Sequence, residues 1–85
     1  MTCRIDRLPT ERGVVLRISG RITGKHLEVL HTALEEDRVV AIELAEVELV
    51  DRDAVTLLAL EEANGVELRG CPGYIREWVT RERQV

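Results

Sequence analysis

The sequence predicts a single α/β domain over residues 1–85, with a four-stranded mixed sheet packed against helices in the order β-β-α-β-α-β-α. Its 85 residues make one domain, because a core of this size does not divide. Along the chain, strand-like apolar runs alternate with segments whose apolar residues recur at helical spacing. Such strand–helix–strand alternation requires parallel pairing with right-handed crossovers, and the opening pair of strands adds an antiparallel edge.

The first half of the chain predicts two strands and a helix. Residues 2–8 alternate as a half-exposed edge strand does, and residues 14–19 resemble a more buried strand. The turn residues at 9–13 predict a hairpin loop longer than the tight two-residue kind. The glycines at both ends of residues 20–24 are expected to break the second strand, and Thr23 is placed to cap the next helix. In that helix Leu27, Leu30, His31 and Leu34 fall at i, i+3, i+4 and i+7, the spacing of one helix face.

The second half predicts a buried strand, a broad apolar helix, a short strand and a last helix. Residues 39–44 are almost continuously apolar, which is typical of a strand covered on both faces. Residues 54–63 are apolar around most of the helix, so this helix is expected to lie flat on the sheet. Gly65 is expected to end it with a left-handed cap, and residues 66–69 form the short strand. The apolar face of the last helix consists of Tyr74, Ile75, Trp78 and Val79.

Composition excludes several classes of protein. A net charge of −4 and only one Trp and one Tyr argue against a nucleic-acid binder, which needs a basic stripe and aromatic platforms. Two cysteines are too few for a disulfide framework and lack metal-ligand spacing. No apolar run approaches the ~20 residues that cross a bilayer, and the N-terminus lacks a signal-peptide apolar region. We therefore expect a cytoplasmic protein without membrane insertion, metal or cofactor, whose small core would gain stability from a partner or a homodimer interface.

No arrangement of residues in the sequence predicts catalysis. The chain has no phosphate-cradling glycine loop and no recognisable combination of serine, histidine and acid. His26 and His31 are separated by roughly 140° around a helix, so they cannot share a metal ion on one face. Asp53 is the best general-base candidate, but nothing supplies a nucleophile or a metal for it. The sequence therefore predicts that the protein is not an enzyme.

The most informative segment is the junction between the third strand and the second helix. Asp51, Arg52 and Asp53 follow an apolar run directly and precede an apolar helix. Free backbone N–H groups at a helix start favour negative charge by roughly 0.3–1 kcal/mol per carboxylate. These residues either form an exposed contact surface or only cap the helix, and the spacing alone allows both.

Two short motifs and the order of elements resemble the STAS family, the sulphate-transporter and anti-sigma-factor-antagonist domains. Gly20-Arg-Ile-Thr23 follows the second strand, and Leu49-Val-Asp-Arg-Asp-Ala54 precedes the second helix. In the family these places typically read Gly-Glu-Leu-Asp and Asp-Ser-Ser-Gly, and the likeness extends over residues 2–80. The resemblance implies a STAS fold and a surface that binds a kinase or an anti-sigma factor. In anti-sigma-factor antagonists that binding depends on phosphorylation of the second serine.

This chain departs from the family pattern at the phosphorylation site. Asp51 matches the first acid of the family motif, Arg52 replaces the first serine, and Asp53 occupies the position of the phosphorylated serine. A phosphoserine would carry a charge of about −1.5 to −2, whereas the aspartate carries a single permanent charge. The resemblance therefore implies a fixed, partly phosphomimetic contact surface. Its predicted residues are Asp51, Arg52, Asp53, Ala54, Thr23 and Gly24.

We therefore expect a non-catalytic regulatory module that resembles anti-sigma-factor antagonists and binds a protein partner. One alternative keeps the fold and makes the chain a small subunit docked on the ATPase of an ABC transporter. Another is a nucleotide- or lipid-binding domain that uses the cleft between the Thr23 turn and the Asp51–Asp53 turn. Tyr74 and Trp78 are either partner anchors or large core residues.

Overall fold

The structure is a computed structural model that describes residues 3–36 and 38–84. Its order of elements confirms the predicted β-β-α-β-α-β-α. The elements are β1 (Cys3–Thr10), β2 (Gly13–Ile22), a 3₁₀ turn (Gly24–His26), α1 (Leu27–Glu36), β3 (Val39–Val50), α2 (Arg52–Ala63), β4 (Glu67–Arg69) and α3 (Gly73–Arg83).

The four strands form one mixed sheet in the order β1-β2-β3-β4. β1 pairs antiparallel with β2, while β2 with β3 and β3 with β4 pair in parallel. The connections through α1 and α2 supply the two crossovers that parallel neighbours require. Because β2 and β3 run in the same direction, their carboxyl ends lie side by side, with Ile22 opposite Val50.

The hydrophobic core lies on one face of the sheet. It joins alternate residues of β2 and β3 to the inner faces of the three helices, so each crossover covers the same face. Leu16, Ile18, Ile22, Ile42 and Leu44 from the strands pack with Leu30, Val55, Leu58, Ile75 and Val79 from the helices. Trp78 is half-buried against this core. Tyr74 is half-exposed, and its hydroxyl donates a hydrogen bond of 2.7 Å to the Glu48 carbonyl.

The opposite face of the sheet is not covered by the described helices. Val15 and Ala41 are buried there but lie outside the core cluster. Long charged side chains surround them, and Arg17 Nε donates to Glu43 Oε1 at 3.1 Å. Ala41 on this face and Ile42 on the core face are both fully buried, so the prediction that residues 39–44 are covered on both faces is confirmed at these residues. One row of alternating charge crosses all four strands and consists of Asp6, Arg17, Glu43 and Arg69.

The hairpin between β1 and β2 is tighter than predicted. Thr10 pairs with Gly13, so only two residues form the turn and the prediction of a longer loop is wrong. The Thr10 hydroxyl accepts from the Arg12 N–H at 3.2 Å and donates to the Gly13 carbonyl at 2.7 Å. Pro9 stays within β1 because an edge strand tolerates a missing donor.

Gly20 does not break β2, which also corrects the sequence-based prediction. It lies within the strand, opposite Cys3 on one side and Val47 on the other, with φ of +90°. The register between β2 and β3 shifts next to it, and such irregularities favour glycine. Gly65 has φ of +99° after α2, as the predicted left-handed cap requires.

Candidate functional site

The candidate site lies at the carboxyl ends of β2 and β3, and we call it the α2 corner. It comprises the turn at Thr23 and Gly24 together with Asp51, Arg52 and Asp53 at the start of α2. The Asp51 N–H donates to the Ile22 carbonyl at 3.2 Å, which joins the two strand ends. The parallel pairing therefore brings together the two segments that the sequence singled out. This edge of an α/β sheet is where such folds generally carry their binding sites.

Asp51 holds the corner together from within. Its Oδ1 accepts from the Ala54 N–H at 2.9 Å, which caps α2. Its Oδ2 accepts from the Gly24 N–H at 2.7 Å, which ties the turn after β2 to the start of the helix. Both carboxylate oxygens therefore accept an internal hydrogen bond, and the side chain is half-buried. Asp51 acts as a structural clamp.

Asp53 occupies a different environment, although it is only two residues away. It lies exposed in the first turn of α2. Among residues 3–36 and 38–84, none hydrogen-bonds to its carboxylate or forms an ion pair with it. A Cβ built on Gly24 would lie 3.8 Å from Asp53 Oδ2 and equally far from Asp51 Oδ2. The Asp53 carboxylate thus faces solvent beside the turn and is free to contact another molecule.

The other predicted residues of the corner differ in accessibility. Arg52 and Gly24 are exposed, whereas the Ala54 side chain is fully buried. Ala54 therefore supports the surface from below and contributes no side chain to it.

Thr23 precedes the 3₁₀ turn and does not begin α1 itself. Its N–H donates to His26 Nδ1 at 3.3 Å, and the His26 N–H donates to the Thr23 carbonyl at 2.8 Å. An accepting Nδ1 places the ring proton on Nε2 in the neutral imidazole. The imidazole therefore holds the turn that carries Gly24.

A cleft opens between the Thr23 turn and Asp51. It has a volume of about 550 Å³, which is within the roughly 300–1,000 Å³ of ordinary small-molecule sites. The exposed cations Arg21 and Lys25 lie on its rim. Its other lining residues are Thr23, Gly24, His26 and Asp51.

The outer face of α2 continues the corner with apolar side chains. Asp53, Leu57 and Leu60 follow at i, i+4 and i+7, so they form one stripe along the helix. Leu57 is half-buried, and Leu60 is 55% exposed. The apolar pattern of residues 54–63 does not by itself distinguish the exposed Leu60 from its buried neighbours. The spacing from Asp53 was the signal that could have identified it.

Within residues 3–36 and 38–84, no group of three or more His, Cys, Asp or Glu side chains could hold a metal ion. None of the helices in the described part of the chain is both long enough and apolar enough to span a membrane. Cys3 and Cys71 are free thiols, and burial raises the pKa of each. A raised pKa keeps a thiol protonated and poorly nucleophilic.

No protein-family model and no curated protein sequence matches this chain. The STAS resemblance therefore depends on the two motifs and on the order of elements.

Proposed function

We propose that this chain is a non-catalytic regulatory module that binds a protein partner through the α2 corner and the outer face of α2. The observation that carries the proposal is that two neighbouring carboxylates have different roles. Asp51 is bonded internally, whereas Asp53 is exposed and has no partner among the described residues. The Asp53 carboxylate is therefore available to bind a partner protein.

The surface next to Asp53 has the composition that protein interfaces favour. An exposed charge steers association and orients the partner, while apolar side chains supply most of the affinity. Asp53 gives the charge, and Leu57 and Leu60 extend the surface with apolar contact area along the same helix face. A partner that fits would present a cation near Asp53 and an apolar patch along the helix.

The STAS resemblance suggests the class of partner. In anti-sigma-factor antagonists, the position equivalent to 53 is a serine whose phosphorylation selects a kinase or an anti-sigma factor. Asp53 holds its charge permanently, so this chain would present one constant binding surface in the cytoplasm. The ATPase of an ABC transporter is the alternative partner for the same surface.

Affinity capture from lysate of the native host, followed by calorimetry with the purified partner, tests the proposal. We expect Asp53→Asn and Leu60→Ser each to weaken binding by about tenfold, or roughly 1.4 kcal/mol. Glu77→Gln is the matched control, because it removes one exposed acid from α3 and should bind like the wild type. Unchanged affinity in both α2 variants would refute the proposed surface.

The absence of a hydroxyl at position 53 gives a second test. A kinase of the suggested class with ATP should leave position 53 unlabelled, and Asp53→Ser should become labelled. Thr56 is exposed on the same helix, and its hydroxyl donates to the Arg52 carbonyl at 3.0 Å. Phosphate on Thr56 or Thr23 of the wild type would contradict a constant surface.

The cleft beside the corner favours a second candidate function, the binding of a small anionic ligand. Arg21 and Lys25 at its rim would attract a nucleotide or a lipid headgroup. A thermal-shift screen separates the two functions. Stabilisation by such a compound, without any captured protein, would favour ligand binding.

A further inference from the structure

The helix α1 carries an exposed stripe on the side that faces away from the core. Lys25, in the 3₁₀ turn before the helix, is followed by Val29, Thr32 and Glu36, and all four are exposed. Val29 is 64% exposed, more than any other large hydrophobic residue among those described. The spacings are four, three and four residues, which is the pattern of a helix–helix seam.

This stripe borders a groove between α1 and the edge strand β1. The groove has a volume of about 490 Å³, and its lining combines the apolar Ile5, Val29 and Ala33 with the polar Arg7, Glu28, Thr32 and Glu36. Leu30 is the only fully buried residue of α1, whereas α2 buries four residues. The helix therefore has contact area available beside the groove.

The charges at the two ends of the stripe determine the orientation in which a second copy of the stripe can pair with it. Lys25 lies at its amino end and Glu36 at its carboxyl end. A second copy of the stripe in antiparallel orientation would set each lysine beside the other copy's glutamate. A parallel copy would set like charges together, which is unfavourable. The spacings of four, three and four residues are the same when counted from either end of the stripe. Antiparallel pairing therefore also sets Val29 beside the second copy's Thr32.

We infer that the protein forms a two-fold symmetric homodimer through antiparallel contact of the α1 stripes over the β1 edge. The two Val29 side chains fill the two grooves, and two Lys25–Glu36 pairs close the ends. The interface is isologous, so one variant changes both ends at once. A standard interface of about 800 Å² per subunit would cover roughly a seventh of the 5355 Å² accessible surface. The outer face of α2 lies on a different helix and stays open in this dimer, whereas Lys25 directly follows Gly24 of the α2 corner and also lines the cleft there.

Charge reversal tests this geometry by sedimentation velocity in low salt at up to millimolar concentration. Lys25→Glu and Glu36→Lys each convert two attractive pairs into two repulsive ones, and each should weaken self-association by at least about fivefold. A mixture of the two variants should associate as a heterodimer, because both ends then pair opposite charges. The double variant Lys25→Glu/Glu36→Lys should recover the wild-type dimerisation constant.

Two further variants separate specific pairing from a general effect of charge. Val29→Asp should abolish the dimer while leaving the circular dichroism spectrum unchanged, since the side chain is exposed. Glu77→Lys, on α3, makes the same charge change as Glu36→Lys and should dimerise like the wild type. A wild type that stays monomeric at millimolar concentration would overturn the inference. So would a mixture of the two charge variants that fails to associate, whatever the fate of Val29→Asp.

Discussion

Replacement of Asp51 by alanine should destabilise the domain far more than replacement of Asp53. Asp51→Ala removes the cap of α2, which is worth about 0.5–2 kcal/mol. It also removes the bond to the Gly24 N–H, which contributes about 1 kcal/mol because the carboxylate is only half-buried. The expected loss is therefore about 1.5–3 kcal/mol. For a chain of 85 residues, whose total stability is on the order of 4–13 kcal/mol, that is a large fraction.

Urea unfolding followed by circular dichroism measures this loss as a change in midpoint at constant slope. Asp53→Ala is the matched control, because it removes the same charge from the same helix turn without breaking a hydrogen bond. Its expected cost is about 0.5 kcal/mol, from the interaction with the helix dipole. Amide exchange adds a local test, since the Gly24 and Ala54 N–H groups should exchange faster only in the Asp51 variant.

Asp51→Asn provides an intermediate case. The amide keeps one acceptor oxygen, so it can retain either the cap or the bond to Gly24 but not both. We expect it to lose about 1 kcal/mol. Equal destabilisation by Asp51→Ala and Asp53→Ala would refute the assignment of separate roles to these two residues.

Two further predictions concern the framework. Glu62 is 18% exposed and accepts hydrogen bonds from Arg76 and Arg83, which hold the pKa of its carboxyl below the usual value. Glu62→Gln should therefore cost about 1–2 kcal/mol at neutral pH. Because the folded pKa is lowered, this contribution is present above about pH 4.5 and is lost as the pH falls through the folded pKa, which urea midpoints at several pH values would show. Gly13 has φ of +146°, and a Cβ there would meet the Arg38 carbonyl oxygen. Gly13→Ala should lower the free energy of unfolding by at least about 2 kcal/mol, and an unchanged melting temperature would contradict this.

The order and type of the elements could be predicted because periodicity is a local property of the sequence. The errors came from residues whose role depends on neighbours in the sheet. Pro9 signals a turn in isolation, but it lies within β1 because that strand has only one paired edge. Gly20 signals a break, yet pairing on both sides keeps it in the ladder.

Burial of the third strand shows a second limit of periodicity. A continuous apolar run at residues 39–44 predicts cover on both faces, but it does not say what provides the cover. Ala41 is small enough for neighbouring charged side chains to shield it from solvent. The cross-strand pair of Arg17 and Glu43 that contributes to this shield joins residues far apart in the chain. No pattern within one segment reveals such a pairing.

The same limit applies at the α2 corner. The sequence places Asp51 and Asp53 at the start of a helix, and there the two acids look equivalent. What distinguishes them is the Gly24 N–H, which the parallel pairing of β2 with β3 brings within 2.7 Å of Asp51 Oδ2. One acid is thereby committed to the fold, and the other remains at the surface. Because the framework uses Asp51 and not Asp53, substitutions at position 53 should change the charge of this surface while leaving the fold intact.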